Sequence, residues 1–283
     1  KGGNTMNYGI VGLGLMGASL ASRLMELGHN EVYGFDINPL TIQIAKDRNY
    51  ITEGSTNPEE LLDRCQIIIL ALYPTQIQPW IEKYQSSIQV GSILMDISGV
   101  KSNIVKPCQE ILKDGLELIS IHPMCGRESR GIEQADPTIF DDANFIVVPT
   151  EKNTHSSILL AEQLGSYLGC TRVATLTPLE HDRMIGFLSQ LTHVIAVSLM
   201  NTHDNSHLVE YTGDSFRDLT RIASINEDLW SELFILNKDI LLDETNQFID
   251  AITHFRDVLQ AEDIEEMKRL FIQSTERRQL FNK

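Results

Sequence analysis

The chain has 283 residues, of which 42% are hydrophobic, and its 39 acidic and 23 basic residues give a formal net charge of −16. This composition excludes global disorder, and the length suggests two domains. Nucleic acid and anionic membrane are not expected as partners, because both need basic faces. An anionic metabolite would need a local concentration of arginines.

The first predicted strand leads into a glycine-rich loop and a helix, in the segment YGIVGLGLMGASL. Gly12, Gly14 and Gly17 have G-x-G-x-x-G spacing, and Asp36 ends the next predicted strand. This context predicts a dinucleotide site in which Gly12 makes the turn, Gly14 admits the pyrophosphate and Gly17 packs helix against strand. Asp36 would bind the ribose hydroxyls and repel a 2′-phosphate, which favours NAD over NADP. Further cofactor contacts are assigned to Leu15, Met16, Leu72 and Ser98.

Seven apolar segments alternate with helix-like segments up to about residue 175, which predicts a parallel sheet covered on both faces. The predicted strands are YGIVGL, EVYGF, QIIILAL, SILMDIS, LELISIH, FIVVPT and RVATLT. After Thr177–Pro178 the pattern is helical throughout, with helix starts at Asn226 and Asp263. The predicted fold is α/β, with an N-terminal Rossmann dinucleotide-binding domain, residues 6–176, followed by an all-helical C-terminal domain, residues 177–283.

Two of the predicted strands run into polar segments, MDISGVKS and SIHPMCGRESRG. Ser98 could hydrogen-bond both a substrate hydroxyl and a histidine, and Lys101 is either a base of that loop or a solvated charge. His122 ends a predicted strand, which is where doubly wound sheets bind ligands, and imidazole suits a base near neutral pH. The alternative is a histidine that only caps its strand.

The predicted helix 180–203 places Asp182, Gly186, Ser189 and His193 on one face. The opposite face carries Phe187, Leu191, Val194 and Ile195. Small and short polar residues beside His193 predict either the lining of a polar cavity or a close helix contact. A lone histidine in such a helix is more often structural.

The segment GDSFRDLTRIA places Arg217 and Arg221 four residues apart, with Asp218 between them. One interpretation is a surface ladder of ion pairs, which contributes little to stability. The other is an arginine held by an aspartate to bind a carboxylate. Trp230, a little further on, belongs either to the core or to a pocket wall.

The four cysteines, Cys65, Cys108, Cys125 and Cys170, include no Cys-x-x-Cys pair. They predict reduced thiols in a cytoplasmic protein, with neither a metal site nor disulfides. Unbroken apolar runs such as IIILAL are far shorter than a membrane span, so no membrane segment is expected, and no signal peptide.

Taken together, these segments resemble the prephenate/arogenate dehydrogenase family of tyrosine biosynthesis. GLGLMGASLA, DISGVKS, HPMCGRESRG, EHDRMIGFLSQLTHVIA and GDSFRDLTRIA follow one another in the family's order, over residues 8 to about 238. The resemblance implies NAD-dependent oxidative decarboxylation of prephenate to 4-hydroxyphenylpyruvate. Because the sequence ends near residue 283, the small regulatory domain that some relatives append is not expected.

The resemblance implies a role for each candidate residue. His122 would take the proton of the ring hydroxyl, with Ser98 as its partner, although Ser98 stands one place before the family's serine. Arg221 would bind the ring carboxylate, held by Asp218. His193 and Trp230 would lie at the side-chain end of the substrate. Arg127 or Arg130, in the loop after His122, would attract the dianion.

Several alternatives stay open from the sequence. Within the family, arogenate or both substrates could be used. A 3-hydroxyacid dehydrogenase is a more distant rival, but such enzymes usually rely on a lysine in the helix that corresponds to 180–203, which has none. A non-catalytic NAD-binding sensor would need neither His122 nor Arg221. The apolar helices after Pro178 predict a homodimer.

Overall fold

In a computed structural model, which describes residues 6–28, 31–204 and 206–282, an eight-stranded sheet has the order β3-β2-β1-β4-β5-β6-β7-β8. The first six strands follow the 3-2-1-4-5-6 order of dinucleotide-binding sheets. The strands are β1 (Asn7–Val11), β2 (Glu31–Phe35), β3 (Glu53–Ser55), β4 (Ile67–Leu70), β5 (Ile93–Asp96), β6 (Glu117–Met124), β7 (Asn144–Val148) and β8 (Arg172–Thr175).

The seven predicted strands are present, but two features of the sheet differ from the prediction. The short strand β3, with a glycine at its centre, has no apolar run to reveal it. The expectation of an all-parallel sheet was wrong, because β7 pairs antiparallel with β6, His122 lying opposite Ile146. Only 3₁₀ turns join β6 to β7, and without a crossover helix the chain returns antiparallel.

Helices cover both faces of the sheet, as the apolar strands require. Alternate residues of β1 and β4 contribute to different apolar clusters: Ile10 and Ile69 to one, Val11 and Ile68 to the other. The described helices are α1 (Leu15–Glu26), α2 (Pro39–Asp47), α3 (Pro74–Tyr84), α4 (Val105–Glu110), α5 (His155–Leu168), α6 (Pro178–Ile185), α7 (Thr192–Met200), α8 (Asp214–Thr220), α9 (Glu227–Leu236), α10 (Lys238–Gln260) and α11 (Ile264–Gln279).

Helices α6 and α7 are joined by a π-helical segment, Gly186–Leu191. Because a π turn contains one extra residue, the predicted faces do not continue through it. Phe187 is exposed whereas Leu191 is buried, although regular periodicity predicts both on one apolar face. By length and composition alone, this stretch passes for a membrane span, a test that the core helix of a soluble protein also passes.

Helix α9 packs beside the sheet and ends at a break that the sequence pattern did not predict. Asn226 caps its start, as predicted, and also donates to the hydroxyl of Tyr73 at 3.0 Å. At the other end, Asn237 donates from Nδ2 to the carbonyl of Asp182 and to Oε1 of Gln190. The helical pattern that starts at Asn226 and continues without an obvious break to residue 260 is therefore divided into two helices, α9 and α10.

The chain packs as two compact units, the first ending at Asn237 and the second beginning at Lys238. The first contains the sheet and α1–α9. The second contains α10 and α11, where Asp263 caps α11 as predicted and His254 lies 3.1 Å from Glu266. The predicted domain boundary at residues 176/177 remains a prediction.

Candidate active site

The loop between β1 and α1 has the geometry that its glycines predict. Gly12 has φ +87°, and its N–H donates to the carbonyl of Phe35 at 2.8 Å. A Cβ on Gly17 would lie 1.8 Å from the carbonyl oxygen of Gly12, whereas around a Cβ on Gly14 none of the described atoms comes within 4 Å. At position 17, helix packing therefore requires glycine. At position 14, the missing side chain leaves open space at the start of α1. That space fits a pyrophosphate approaching a helix N-terminus.

The predicted acid lies beside this loop. Asp36 accepts hydrogen bonds from the N–H groups of Leu13 and Asn38, each at 2.9 Å. A carboxylate has about four acceptor positions, so Asp36 retains capacity for ribose hydroxyls. Leu72 lies 3.3 Å from the position of a Cβ on Gly12. Of the remaining assigned contacts, Leu15 is buried and Met16 is partly buried.

The segment after β5 folds back over a buried ion pair. Lys101 is 0% exposed and donates from Nζ to Oδ2 of Asp96 at 2.9 Å and to the carbonyl of Ile121 at 2.7 Å. The alternative of a solvated lysine is therefore wrong. Burial lowers the pKa of Lys101, and the neighbouring Asp96 opposes that shift.

Ser98 belongs to the same buried group and does not partner His122. Its hydroxyl lies 2.6 Å from Oδ2 of Asp96 and 2.8 Å from the carbonyl of Val100. The reason is local: β5 ends at Asp96, and the tight turn that follows points Ser98 back at that carboxylate. The prediction that Ser98 partners the histidine is corrected by this geometry, and a cofactor contact for Ser98 stays a prediction.

His122 is instead paired with a second histidine. Its Nδ1 lies 2.8 Å from Nε2 of His181, and Nδ1 of His181 lies 2.8 Å from Oδ1 of Asp182. Asp182 also accepts the backbone N–H groups of Lys101 and Ser102, both at 2.8 Å. A chain of hydrogen bonds thus runs from the loop after β5, through the start of α6, to β6.

Burial governs the protonation of this chain. It holds the pKa of His122 well below 6.5, with His181 and Lys101 acting in the same direction. Burial also lowers the pKa of His181, although the hydrogen bond to Asp182 opposes it. Burial would raise the pKa of Asp182, but hydrogen bonds from His181 and Ser102 outweigh it and lower that pKa. Two neutral imidazoles beside a carboxylate are therefore expected at neutral pH.

Arg221 meets the loop that follows His122. Its guanidinium donates to Oε1 of Glu128, not to Asp218 as predicted. Helix α8 ends at Thr220, so the regular three-residue spacing from Asp218 does not continue to Arg221. Glu128, six residues after His122, thus connects the loop that follows His122 to Arg221, the predicted anion-binding residue.

The other arginines of this region are also paired. The guanidinium of Arg127 forms an ion pair with Asp136 at 2.9 Å. A contact between Arg127 and a substrate stays a prediction. Arg130 pairs with Glu227 at the start of α9. Arg217 pairs with Asp214, as a surface ladder would.

His193 and Trp230 form a stacked pair, with ring centroids 3.7 Å apart and an interplanar angle of 27°. Nδ1 of His193 lies 2.8 Å from the carbonyl of Ser189, so this nitrogen carries a proton that it donates. Burial lowers the pKa of His193, opposed by the Ser189 carbonyl and by Glu128, while Arg221 lowers it further. His193, Trp230, Glu128 and Arg221 therefore form one cluster.

Sequence reasoning missed the functional candidate His181 and gave Asp182 only a place on a helix face. The available signal was their position in the first turn of a helix that begins with the capping box of Thr177 and Glu180. That cap fixes where the helix starts. The hydrogen bonds of His181 and Asp182, however, go to residues 59 and 81 positions away, so no local sequence pattern reveals them. Among the described residues, no group of three His, Cys, Asp or Glu side chains could hold a metal ion.

The sheet order, the glycine loop and the half-buried histidine at the carboxyl ends of the strands define a dinucleotide-binding protein of the dehydrogenase type. The chain belongs to the prephenate dehydrogenase family. The family's nucleotide-binding domain matches residues 20–170, and its dimerization domain matches residues 177–273. The interpretation as a 3-hydroxyacid dehydrogenase is therefore not retained.

Individual relatives agree with this family. The chain is 27% identical to a prephenate dehydrogenase of Bacillus subtilis, over 93% of this chain and 72% of that protein. It is 22% identical to a cyclohexadienyl dehydrogenase of Zymomonas mobilis, over 90% and 88% of the two chains. A crystal structure of Aquifex aeolicus prephenate dehydrogenase, in complex with hydroxyphenyl propionate and NAD+, superimposes with a TM-score of 0.91 at 26% identity and covers 100% of both chains.

Proposed function

We propose that this protein is an NAD-dependent prephenate dehydrogenase. The observation that carries the proposal is that a candidate base, His122, and a candidate carboxylate-binding group, Arg221, are connected through one loop. His122 is held neutral, and Glu128 of the same loop pairs with Arg221. The relatives named as prephenate dehydrogenases support this choice of substrate. Asp36, whose segment DINP contains no arginine for a 2′-phosphate, supports NAD over NADP.

Each group has a defined task in the proposed reaction. Neutral His122 accepts the proton of the ring hydroxyl while the ring carbon loses hydride. NAD, when bound, supplies the hydride acceptor. The ring carboxylate then leaves as carbon dioxide, and His122 returns its proton to the oxygen of the new phenol. Arg221 binds the carboxylate before it leaves, in place of Glu128, and aromatisation drives the reaction, so the protein mainly aligns and deprotonates its substrate.

Arogenate is the second candidate, and one observation favours it. Because Nδ1 of His193 donates to Ser189, the neutral ring offers a lone pair at Nε2. An ammonium can donate to that nitrogen. A keto group is itself an acceptor, so it would need His193 to be protonated or bridged by water.

The test is NADH or NADPH formation with prephenate and with arogenate, each supplied with NAD and with NADP. The proposal expects the highest kcat/KM for prephenate with NAD. A preference for arogenate would replace the substrate in the proposal, and no turnover of either compound would contradict it. His122→Asn should lower kcat by about 10²–10⁴-fold with NAD affinity retained. If the protein were a non-catalytic NAD sensor, His122→Asn would leave NAD binding unchanged, and wild type itself would show no turnover.

We further propose that the enzyme is a homodimer in the cytoplasm. The dimerization domain supports the first part. The second is supported by the four described cysteines, all free thiols and three of them buried, which a reducing compartment maintains.

A further inference from the structure

The hydrogen-bond chain at His122 has a direction that can be worked out from its far end. The carboxylate of Asp182 accepts two backbone N–H groups, from Lys101 and Ser102, and is 2% exposed. These donors favour the charged form, which can only accept hydrogen bonds. The nitrogen of His181 that faces Asp182, Nδ1, must therefore carry a proton.

That proton decides the state of the next ring. In a neutral imidazole, one nitrogen donates and the other accepts, so Nε2 of His181 is an acceptor. Its partner at 2.8 Å, Nδ1 of His122, must then be the donor. Neutral His122 consequently holds its proton on Nδ1 and a lone pair on Nε2. In free histidine, neither tautomer is imposed by a partner. In the folded protein, the hydrogen bond made by one ring nitrogen fixes which tautomer is present.

We propose that His181 and Asp182 are positioning residues that fix the tautomer of His122, so that Nε2 is the nitrogen that accepts the substrate proton. This inference rests on the proposed role of His122 as the base. His181 touches no reacting atom and acts through His122. When His122 accepts the proton, its Nδ1–H still donates to His181, and Asp182 lies one ring further on to stabilise the positive charge. No net proton is gained or lost by the pair His181–Asp182.

The geometry explains why this task does not fall to Ser98. The hydroxyl of Ser98 is directed at Asp96 and Val100, and Asp96 in turn is paired with Lys101. The buried polar groups near His122 thus form two sets: Ser98 and Lys101 donate to Oδ2 of Asp96, whereas His181, held by Asp182, bonds to the base.

The direct test is the tautomer of His122, read from the ¹⁵N chemical shifts of its ring nitrogens in protein labelled at histidine. His122→Asn assigns the signals by deleting them. At a pH where the ring is neutral, the proton is expected on Nδ1. A proton on Nε2 would overturn the inference. This reading needs no turnover, so it separates the inference from the proposed function, which fails if neither prephenate nor arogenate reacts.

The kinetic test compares two substitutions of one residue. His181→Gln places an amide oxygen near the position of Nε2, where it can accept from His122, whereas His181→Asn cannot reach. His181→Asn should lower kcat by about 10²-fold, with KM for prephenate and NAD changed less than threefold, and His181→Gln should recover activity to within tenfold of wild type. Equal activities of both variants and wild type would contradict the proposal, as would equal losses in both folded variants.

Thr177→Ala is the matched control. It removes the capping box one turn before His181, in the same helix, without touching the histidine chain. It should cost about 1 kcal/mol of stability and leave kcat within twofold. A fall in kcat comparable to that of His181→Asn would show that disturbing the helix start is enough, and would remove the case for His181.

Discussion

At the scale of single residues, the glycines at the turn from β1 into α1 serve different physical purposes. Gly17 is needed because the carbonyl of Gly12 occupies the place of its Cβ, a requirement of the folded chain itself. Gly14 faces open space, so its missing side chain matters only when a ligand approaches. Two substitutions of the same kind should therefore separate folding from binding.

Gly17→Ala should destabilise the protein by about 1–3 kcal/mol or more, because backbone has to move to admit the methyl group. Gly14→Ala should cost no more than about 1 kcal/mol of stability but raise the Kd for NAD at least about tenfold. Urea denaturation and NAD titration measure the two effects. Unchanged NAD affinity in Gly14→Ala would show that the pyrophosphate does not lie at this glycine.

The protonation of His122 gives a second prediction at this scale. A base must be neutral, and burial together with His181 and Lys101 keeps the pKa of His122 well below 6.5. Activity should therefore stay constant as the pH falls through 6.5 and be lost only further down, as the ring takes up its proton. The kcat/KM for prephenate against pH measures this. The prediction would be contradicted if wild-type kcat/KM were already lost at pH 6.5 while the residual rate of His122→Asn showed no such loss.

At the scale of elements, the site depends on how α9 and the helix α6–α7 are joined. Gln190 lies in the π segment and is 1% exposed, with its amide donating to the carbonyl of Leu233 in α9. Asn237 completes the link from the end of α9. Trp230 of α9 stacks on His193 of α7, so this junction also sets the position of that stacked pair in the candidate site.

Asn237→Ala should destabilise the protein by about 2–3 kcal/mol, because it leaves Oε1 of Gln190 and the carbonyl of Asp182 buried without the bonds to Asn237. Asn226→Ala, at the other end of the same helix, should cost about 1 kcal/mol, the usual effect of losing a cap. Urea denaturation of both variants measures the difference. Equal losses would mean that Asn237 acts only as a helix end.

At the scale of the molecule and its assembly, helix α10 carries an exposed apolar stripe. Its members are 52% to 58% exposed and lie within about 100° of one another around the helix. They are Leu242, Ile249, Ile252 and Leu259. Contiguous exposed apolar surface of this kind marks an interface, and it lies in the part of the chain matched by the dimerization domain.

We expect the protein to be a dimer at micromolar concentration and the double variant Ile249→Lys/Ile252→Lys to be monomeric, because two charges would have to be buried. Gln247→Lys, on the other side of the helix, should remain a dimer. Light scattering coupled to size-exclusion chromatography gives the masses. A monomeric wild type would contradict the homodimer, and a dimeric double variant would place the interface elsewhere.

Features that depend on a few adjacent residues could be predicted without a structure. The positive φ of Gly12, the acid that ends β2 and the caps at Asn226 and Asp263 follow from local sterics and hydrogen bonding. The alternation of apolar strands and helices was enough for the Rossmann fold, because each element must bury its apolar face.

Which polar side chains contact one another depends on the packing of the whole fold. His122 finds His181 across 59 positions, and Arg221 finds Glu128 across 93. Lys101 is buried rather than solvated because Asp96 and the Ile121 carbonyl lie close enough to bond its ammonium. No local pattern contains such pairings: side chains far apart in sequence meet only after the sheet and helices have packed, and the hydrogen bonds available then fix each group's partner and charge.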